Sequence, residues 1–107
     1  MLYTLKVNIG ELAVDIFEVK LSKQAEKNLK HIPAHIVFKL QVWIDGVKNE
    51  GLREIRKRPG FHDEPLKGKR QGQRSIRLNK GYRAIYEVDI CGIIHFVEII
   101  EVNKHEY

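Results

Sequence analysis

The first sustained pattern along the chain is a rough alternation of apolar and polar residues in VDIFEVKL, residues 14–21, which predicts a strand. Ser22 then offers a hydroxyl to cap SKQAEKNLKHI, where Ala25, Leu29 and Ile32 recur at spacings of four and three on one face of a short helix. Pro33 stands where that helix must stop and a second one can begin. From Ala34 to about Lys48, Ile36, Val37, Leu40, Trp43, Ile44 and Val47 keep the three-and-four spacing of an amphipathic helix, interrupted only by Gly46. Asn49, Glu50 and Gly51 end it. Joined at a proline, the two helices form an αα-hairpin that can cover one face of a sheet.

The rhythm then breaks. LREIRKRPGFHDEPLKGKRQGQ, residues 52–73, holds two prolines, three glycines and dense charge, and reads as a long connection with little regular structure. Long connections inside a small domain are uncommon and often functional. Alternation returns at Arg74–Leu78, at Tyr82–Val88 and over residues 93–102, with turns at Asn79–Gly81 and Asp89–Gly92. The expected fold is α+β: an N-terminal strand, a two-helix hairpin and an antiparallel three-strand meander, with the helices packed on one face of a small sheet.

Length and composition fit one soluble domain spanning residues 1–107. With 43% apolar and 31% charged residues, the balance is globular rather than disordered. The single cysteine, Cys91, excludes an internal disulfide and favours a reducing compartment. No run of 18 apolar residues offers a membrane span, and MLYTLKVNIGELAVDIF makes a poor signal peptide, so a cytoplasmic location with no membrane partner is expected.

The net charge of +5 is unevenly placed. Residues 1–52 are nearly neutral and residues 84–107 net acidic, whereas residues 53–83 carry eleven Lys/Arg against three Asp/Glu. Such a block attracts polyanions and neutralises phosphates at contact, which points to nucleic acid. Arg53, Arg56, Lys57, Arg58, Arg70, Arg74 and Arg83 belong to it, along with His62.

Strand parity separates the arginines. Arg74 shares a face with Ile76 and Leu78, the face the helices would bury, leaving Arg77 beside Ser75 on the other side. A guanidinium there can clamp a phosphate in bidentate fashion, or pair with Glu87 or Glu98 across the sheet. PLKGKRQG presents Lys67, Lys69 and Arg70 on a flexible loop without the pattern of a nucleotide P-loop. His31 and His35 have a helical metal spacing that Pro33 interrupts, and no Cys/His cluster has zinc spacing, so neither a metal nor a cofactor is expected. His95 reads as a structural residue inside an apolar strand. Lys104, His105 and Tyr107 close the chain after its longest apolar strand. Metal-free RNA cleavage needs a base, cations around the phosphate and an acid for the leaving oxygen, and these residue types supply all three.

FEVKLSKQAEKNLKHIP, PLKGKRQGQRSIRLNKGYRAIYEV and VEIIEVNKHEY, in that order, resemble the RelE/ParE superfamily of toxin–antitoxin toxins over roughly residues 15–107. Residues 1–13 would form an N-terminal extension. The KHEY ending resembles the RelE/YafQ/HigB-like branch of ribosome-dependent mRNA endonucleases rather than the gyrase-directed ParE branch, which lacks the ribonuclease residues. The resemblance implies His105 as general acid or base, Arg77 as the catalytic-strand cation and Lys67 and Lys69 as helpers of the attacking hydroxyl. It implies Tyr107 as a supporting or base-stacking residue, Arg83 as a support of the site, and His62 with Asp63 as a loop pair of the YafQ type. RelE itself carries arginine where this chain has His105, so the acid–base assignment of RelE does not transfer. The partners implied are a cognate antitoxin, mRNA in the ribosomal A site and ribosomal RNA. The alternatives are a gyrase inhibitor of the same fold and a non-catalytic RNA-binding module.

Overall fold

The computed structural model describes residues 4–7, 15–91 and 94–104. Strand β1 (Thr4–Val7) is followed by β2 (Glu18–Leu21), helices α1 (Lys23–Leu29), α2 (Ala34–Glu50) and α3 (Leu52–Arg56), and then β3 (Glu64–Pro65), β4 (Arg74–Arg77), β5 (Tyr82–Cys91) and β6 (Ile94–Lys104). The sheet runs β2-β6-β5-β4-β3, with β1 added antiparallel to the upper half of β5. β2 lies parallel to β6 while the remaining pairs are antiparallel, so the expected meander sits inside a mixed sheet.

The helices cover one face of the sheet. Ile36, Leu40, Trp43 and Val47 of α2 pack on Ile76, Ala84, Tyr86, Val88, Val97, Ile99 and Val102, and all are buried. Trp43 meets Tyr86 with ring centroids 5.0 Å apart. Burying each large apolar side chain contributes roughly 1.5–3 kcal/mol, which makes this layer the main source of stability.

Local signals fix the ends. The Ser22 hydroxyl accepts from the Ala25 amide at 3.0 Å, as a cap should, and donates to the Ile100 carbonyl at 2.6 Å. That second bond falls at the irregularity where Ile85 pairs with Glu101 but Tyr86 pairs with Ile99, leaving Ile100 unmatched in the ladder. α1 is thereby docked on the bulge of β6.

Three departures from the sequence pattern follow from tertiary contacts. The strand expected over residues 14–21 begins only at Glu18, because Asp15 turns away to serve α3: its Oδ1 accepts from the Ile16 amide at 2.8 Å and from the Arg53 amide at 3.0 Å. α3 itself falls inside the stretch that reads as irregular; Leu52 and Ile55 bury its apolar side. Gly46, the apparent flaw in α2, makes room for it, since a Cβ there would lie 2.4 Å from Ile55 Cδ1. β1 lies within residues 1–13, where the pattern predicts nothing.

Gly51 joins α2 to α3 at φ 91° and ψ 154°, a conformation that is nearly restricted to glycine, and an added Cβ would meet Asp15 Oδ2 at 2.2 Å. Gly51→Ala should therefore lower the unfolding free energy by about 1–3 kcal/mol, read from the urea midpoint at unchanged m-value.

Candidate functional site

The sheet's second face carries the site. Ser75 and Arg77 of β4, Arg83 and Ile85 of β5, and Glu101 and Asn103 of β6 share it by register: Ser75 pairs with Ile85 and Ile85 with Glu101, while Arg77 pairs with Arg83 and Arg83 with Asn103. The face is only partly exposed. Ser75 and Ile85 are buried, and so are Glu87, Asp89 and Phe96 farther up the strands.

At the lower end a concave pocket of about 60 Å³ is lined by His62, Glu64, Ser75, Arg77, Asn79, Lys80, Tyr82 and Arg83. Its shape comes from two turns. Asn79 Oδ1 accepts from the amides of Gly81 and Tyr82 at 2.7 and 2.9 Å and tightens the β4–β5 hairpin. His62 takes the left-handed conformation at φ 45°, the sole non-glycine with positive φ among the described residues, and so ends the 3₁₀ turn Pro59–Phe61 and redirects the chain into β3. Glu64 then pairs with Ser75 and brings a carboxylate to the pocket.

The pocket's electrostatics are set by Arg77 and Arg83, which stand opposite each other on neighbouring strands. Like charges at such a pair are destabilising unless something neutralises them. Arg77 is exposed and, among the described residues, makes neither a hydrogen bond nor an ion pair, the alternative pairing with Glu87 or Glu98 included. Arg83 Nε is buried and has no hydrogen-bond partner among the described residues. Two adjacent guanidinium groups that form no ion pair among the described residues, with Glu64 the acid lining their pocket, are suited to hold an anion with distributed charge, such as a phosphodiester.

Beneath the pocket, on the helix side, lies a polar network. Asp63 Oδ1 accepts from Arg74 Nε at 2.5 Å and its Oδ2 accepts from the Tyr86 hydroxyl at 2.5 Å. The Asp63 side chain is 1% exposed and that of Arg74 20%. Burial raises the Asp63 carboxyl above its ordinary value, against the opposing pull of Tyr86 and Arg74. Burial and the neighbouring Asp63 carboxylate push the Tyr86 hydroxyl well above its ordinary value. An acid whose folded pKa is raised binds more protons folded than unfolded, so its contribution to stability falls as pH rises past the unfolded value. Stability should therefore drop as pH climbs above about 10, and Tyr86→Phe should flatten that slope in pH-dependent urea melts.

The remaining expected residues scatter around this centre. Arg74 lies on the helix side with its Nε held by Asp63. Arg70 pairs with Glu101, tying the loop after β3 to the second face. Lys57 pairs with Glu54 at 3.2 Å and Arg58 with Glu50, both at the surface. Arg53 is exposed and Arg56 half-buried, near enough to Asp63 to oppose the rise in its carboxyl. Lys67 lines a separate cavity rather than the Arg77 pocket, and Lys69 is exposed on the 3₁₀ turn Gly68–Arg70. Lys104 pairs with Tyr82, at the pocket's edge. His105 and Tyr107 lie outside the described residues. Glu64 is absent from the residues expected at the site; its signal is the second acid of the Asp63–Glu64 pair directly before PLKG, at the entrance to the cationic loop. Far from the pocket, Glu87, Asp89 and Glu98 bring carboxylate oxygens within 4.8 Å of one another, with Lys20 in register with Glu98.

This arrangement of helices on a mixed sheet matches solved toxin structures. YafQ from E. coli superposes with a TM-score of 0.63 at 17% identity, covering 82% of this chain and 92% of its own. The RelBE2 toxin–antitoxin complex from Mycobacterium tuberculosis matches with a TM-score of 0.61 at 24% identity, over 86% of this chain and 100% of that one. The chain has the RelE toxin fold. A third RelE-fold match, in the archaeal RelE–RelB complex from Pyrococcus horikoshii, gives a TM-score of 0.60 at 23% identity over 82% and 93% of the two chains. Neither a protein-family model nor a curated protein matches the sequence. The RelE fold accounts for the helix hairpin and the mixed sheet.

Proposed function

We propose that this chain is the toxin of a toxin–antitoxin pair and acts as a metal-independent endoribonuclease on mRNA in the ribosomal A site. The observation that carries the reading is the Arg77–Arg83 pair, two guanidinium groups facing each other across β4 and β5 in a pocket that also holds Glu64 and His62. Keeping such a repulsive pair at a concave surface makes sense if the bound state supplies the missing negative charge.

In this mechanism the two arginines hold the scissile phosphate and stabilise the extra charge of the pentavalent transition state. The ribose 2′-oxygen attacks phosphorus, the bond from phosphorus to the 5′-oxygen breaks, and a 2′,3′-cyclic phosphate remains. Glu64, a carboxylate in the pocket, takes the 2′-hydroxyl proton. His105 returns a proton to the leaving 5′-oxygen; the residue before it, Lys104, is paired with the pocket residue Tyr82. Tyr107 stacks on a neighbouring base. The cations outside the pocket, among them Lys69 and Arg53, dock on ribosomal RNA, which explains more positive charge than one phosphate requires.

An antitoxin is the second partner. The similar solved structures include RelB and DinJ complexes, and an acidic segment laid over the Arg77 pocket would silence it by occupying the anion site. A translation extract programmed with a defined mRNA tests the reading: the expected result is mRNA cut at ribosome-occupied codons. Intact mRNA together with inhibited DNA supercoiling would replace the nuclease with a gyrase-directed toxin.

A further inference from the structure

β2 ends the sheet. β6 lies beside it in parallel, and among the described residues no strand covers its other edge. A bare edge invites pairing with another chain unless its side chains forbid it. The ladder shows which backbone groups face outward. The Ser22 amide donates to the Ile99 carbonyl at 2.9 Å, so Ser22 and, by alternation, Lys20 turn their backbone groups toward β6. Val19 and Leu21 therefore direct theirs away from the sheet.

We propose that a second copy of this chain docks here, β2 against β2, antiparallel about a twofold axis through Val19. The proposal is independent of the nuclease reading. Register carries it. Directly opposite residues of an antiparallel pair share a face and a hydrogen-bonding direction, so two copies can be centred on Glu18, Val19 or Lys20 but not between residues. Centring on Glu18 sets two carboxylates against each other and centring on Lys20 two ammonium groups, both unfavourable. Centring on Val19 sets Glu18 of each copy opposite Lys20 of the other, Val19 opposite itself and Phe17 opposite Leu21. It also makes the outward groups of Val19 and Leu21 the ones that bond across the axis.

The single chain leaves these side chains available. Glu18 and Lys20 are exposed and form no ion pair among the described residues; the Lys20 ammonium rests over the Phe96 ring, 4.4 Å from its centroid. Phe17, directly before β2, is 51% exposed. The Arg77 pocket lies on β4 and β5, away from this edge in the strand order, so the pairing leaves it open in both copies. Five residues a side, Phe17 to Leu21, fall short of the roughly 20–30 of a stable interface, so the dimer should form and dissociate with concentration.

Sedimentation equilibrium of the full chain over a concentration series is the test. The expected result is a reversible monomer–dimer equilibrium, with hydrogen exchange of the Val19 and Leu21 amides slowing as dimer forms. Glu18→Lys and Lys20→Glu, both at exposed positions, should each weaken self-association about tenfold, because two attractive rungs become repulsive. An equimolar mixture of the two variants should regain the parental affinity, since one brings two lysines and the other two glutamates to the facing strands. A chain that stays monomeric up to millimolar concentration overturns the proposal and leaves the edge to a strand of another protein. A dimer that both variants form as tightly as the parent, or that their mixture fails to restore, overturns it equally by placing the contact on another surface.

Discussion

Arg77→Ala should lower the rate of mRNA cleavage by 10²–10³-fold while leaving the melting temperature within a degree or two of the parent. The size follows from the role. A guanidinium that meets the phosphate as charge builds up in the transition state resembles an oxyanion-hole donor, and removal of one such donor costs about 2.7–4 kcal/mol of transition-state stabilisation. The small effect on folding has an equally direct cause: Arg77 is exposed and makes no hydrogen bond or ion pair with the described residues, so truncation removes no polar contact among them. It even relieves the repulsion with Arg83 across the ladder. Single-turnover cleavage and a thermal melt on the same preparation check both halves. A protein that loses activity together with its fold would show that Arg77 has a structural role.

Asp63→Ala should have the opposite profile, with a stability loss of roughly 3–5 kcal/mol. The Asp63 carboxylate is buried and serves two donors, Arg74 Nε and the Tyr86 hydroxyl. Removing one partner of a buried pair leaves the other desolvated and uncompensated, which costs more than the pair itself contributed. The substitution also releases the chain between His62 and Glu64, both of which line the Arg77 pocket, so cleavage should fall as well. Equilibrium urea denaturation gives the first quantity directly. A change within about 0.5 kcal/mol, the usual size for a surface substitution, would show that the network does not hold the loop.

Much of this arrangement is legible in the residues because it rests on local periodicity. Six apolar positions at spacings of three and four define α2, the Ser22 hydroxyl marks the start of α1, and strand parity alone sends Arg77 to the face opposite Ile76. Parity also puts Arg74 on the helix side, but it cannot name the partner, because Asp63 is eleven residues away and meets Arg74 only once β3 has folded against β4. The same reason hides α3, whose five residues gain their burial from Gly46 and Asp15, and β1, a four-residue strand whose partner β5 lies some eighty residues on. Lys67 and Lys69 show the limit of charge counting. Both lie in the densest cationic stretch, yet Lys67 lines the loop cavity and Lys69 a surface turn, while the pocket's acidic member, Glu64, is set by its rung opposite Ser75.

The central claim is that the second face of this sheet breaks RNA through its own 2′-hydroxyl. The measurement that tests it most directly is end-mapping of mRNA from a translating extract treated with the protein. Termini bearing 2′,3′-cyclic or 3′-phosphate at ribosome-occupied codons, absent with Arg77→Ala, are the predicted result. Cuts that leave 3′-hydroxyl ends, or cyclic-phosphate ends that persist undiminished with Arg77→Ala, would contradict it.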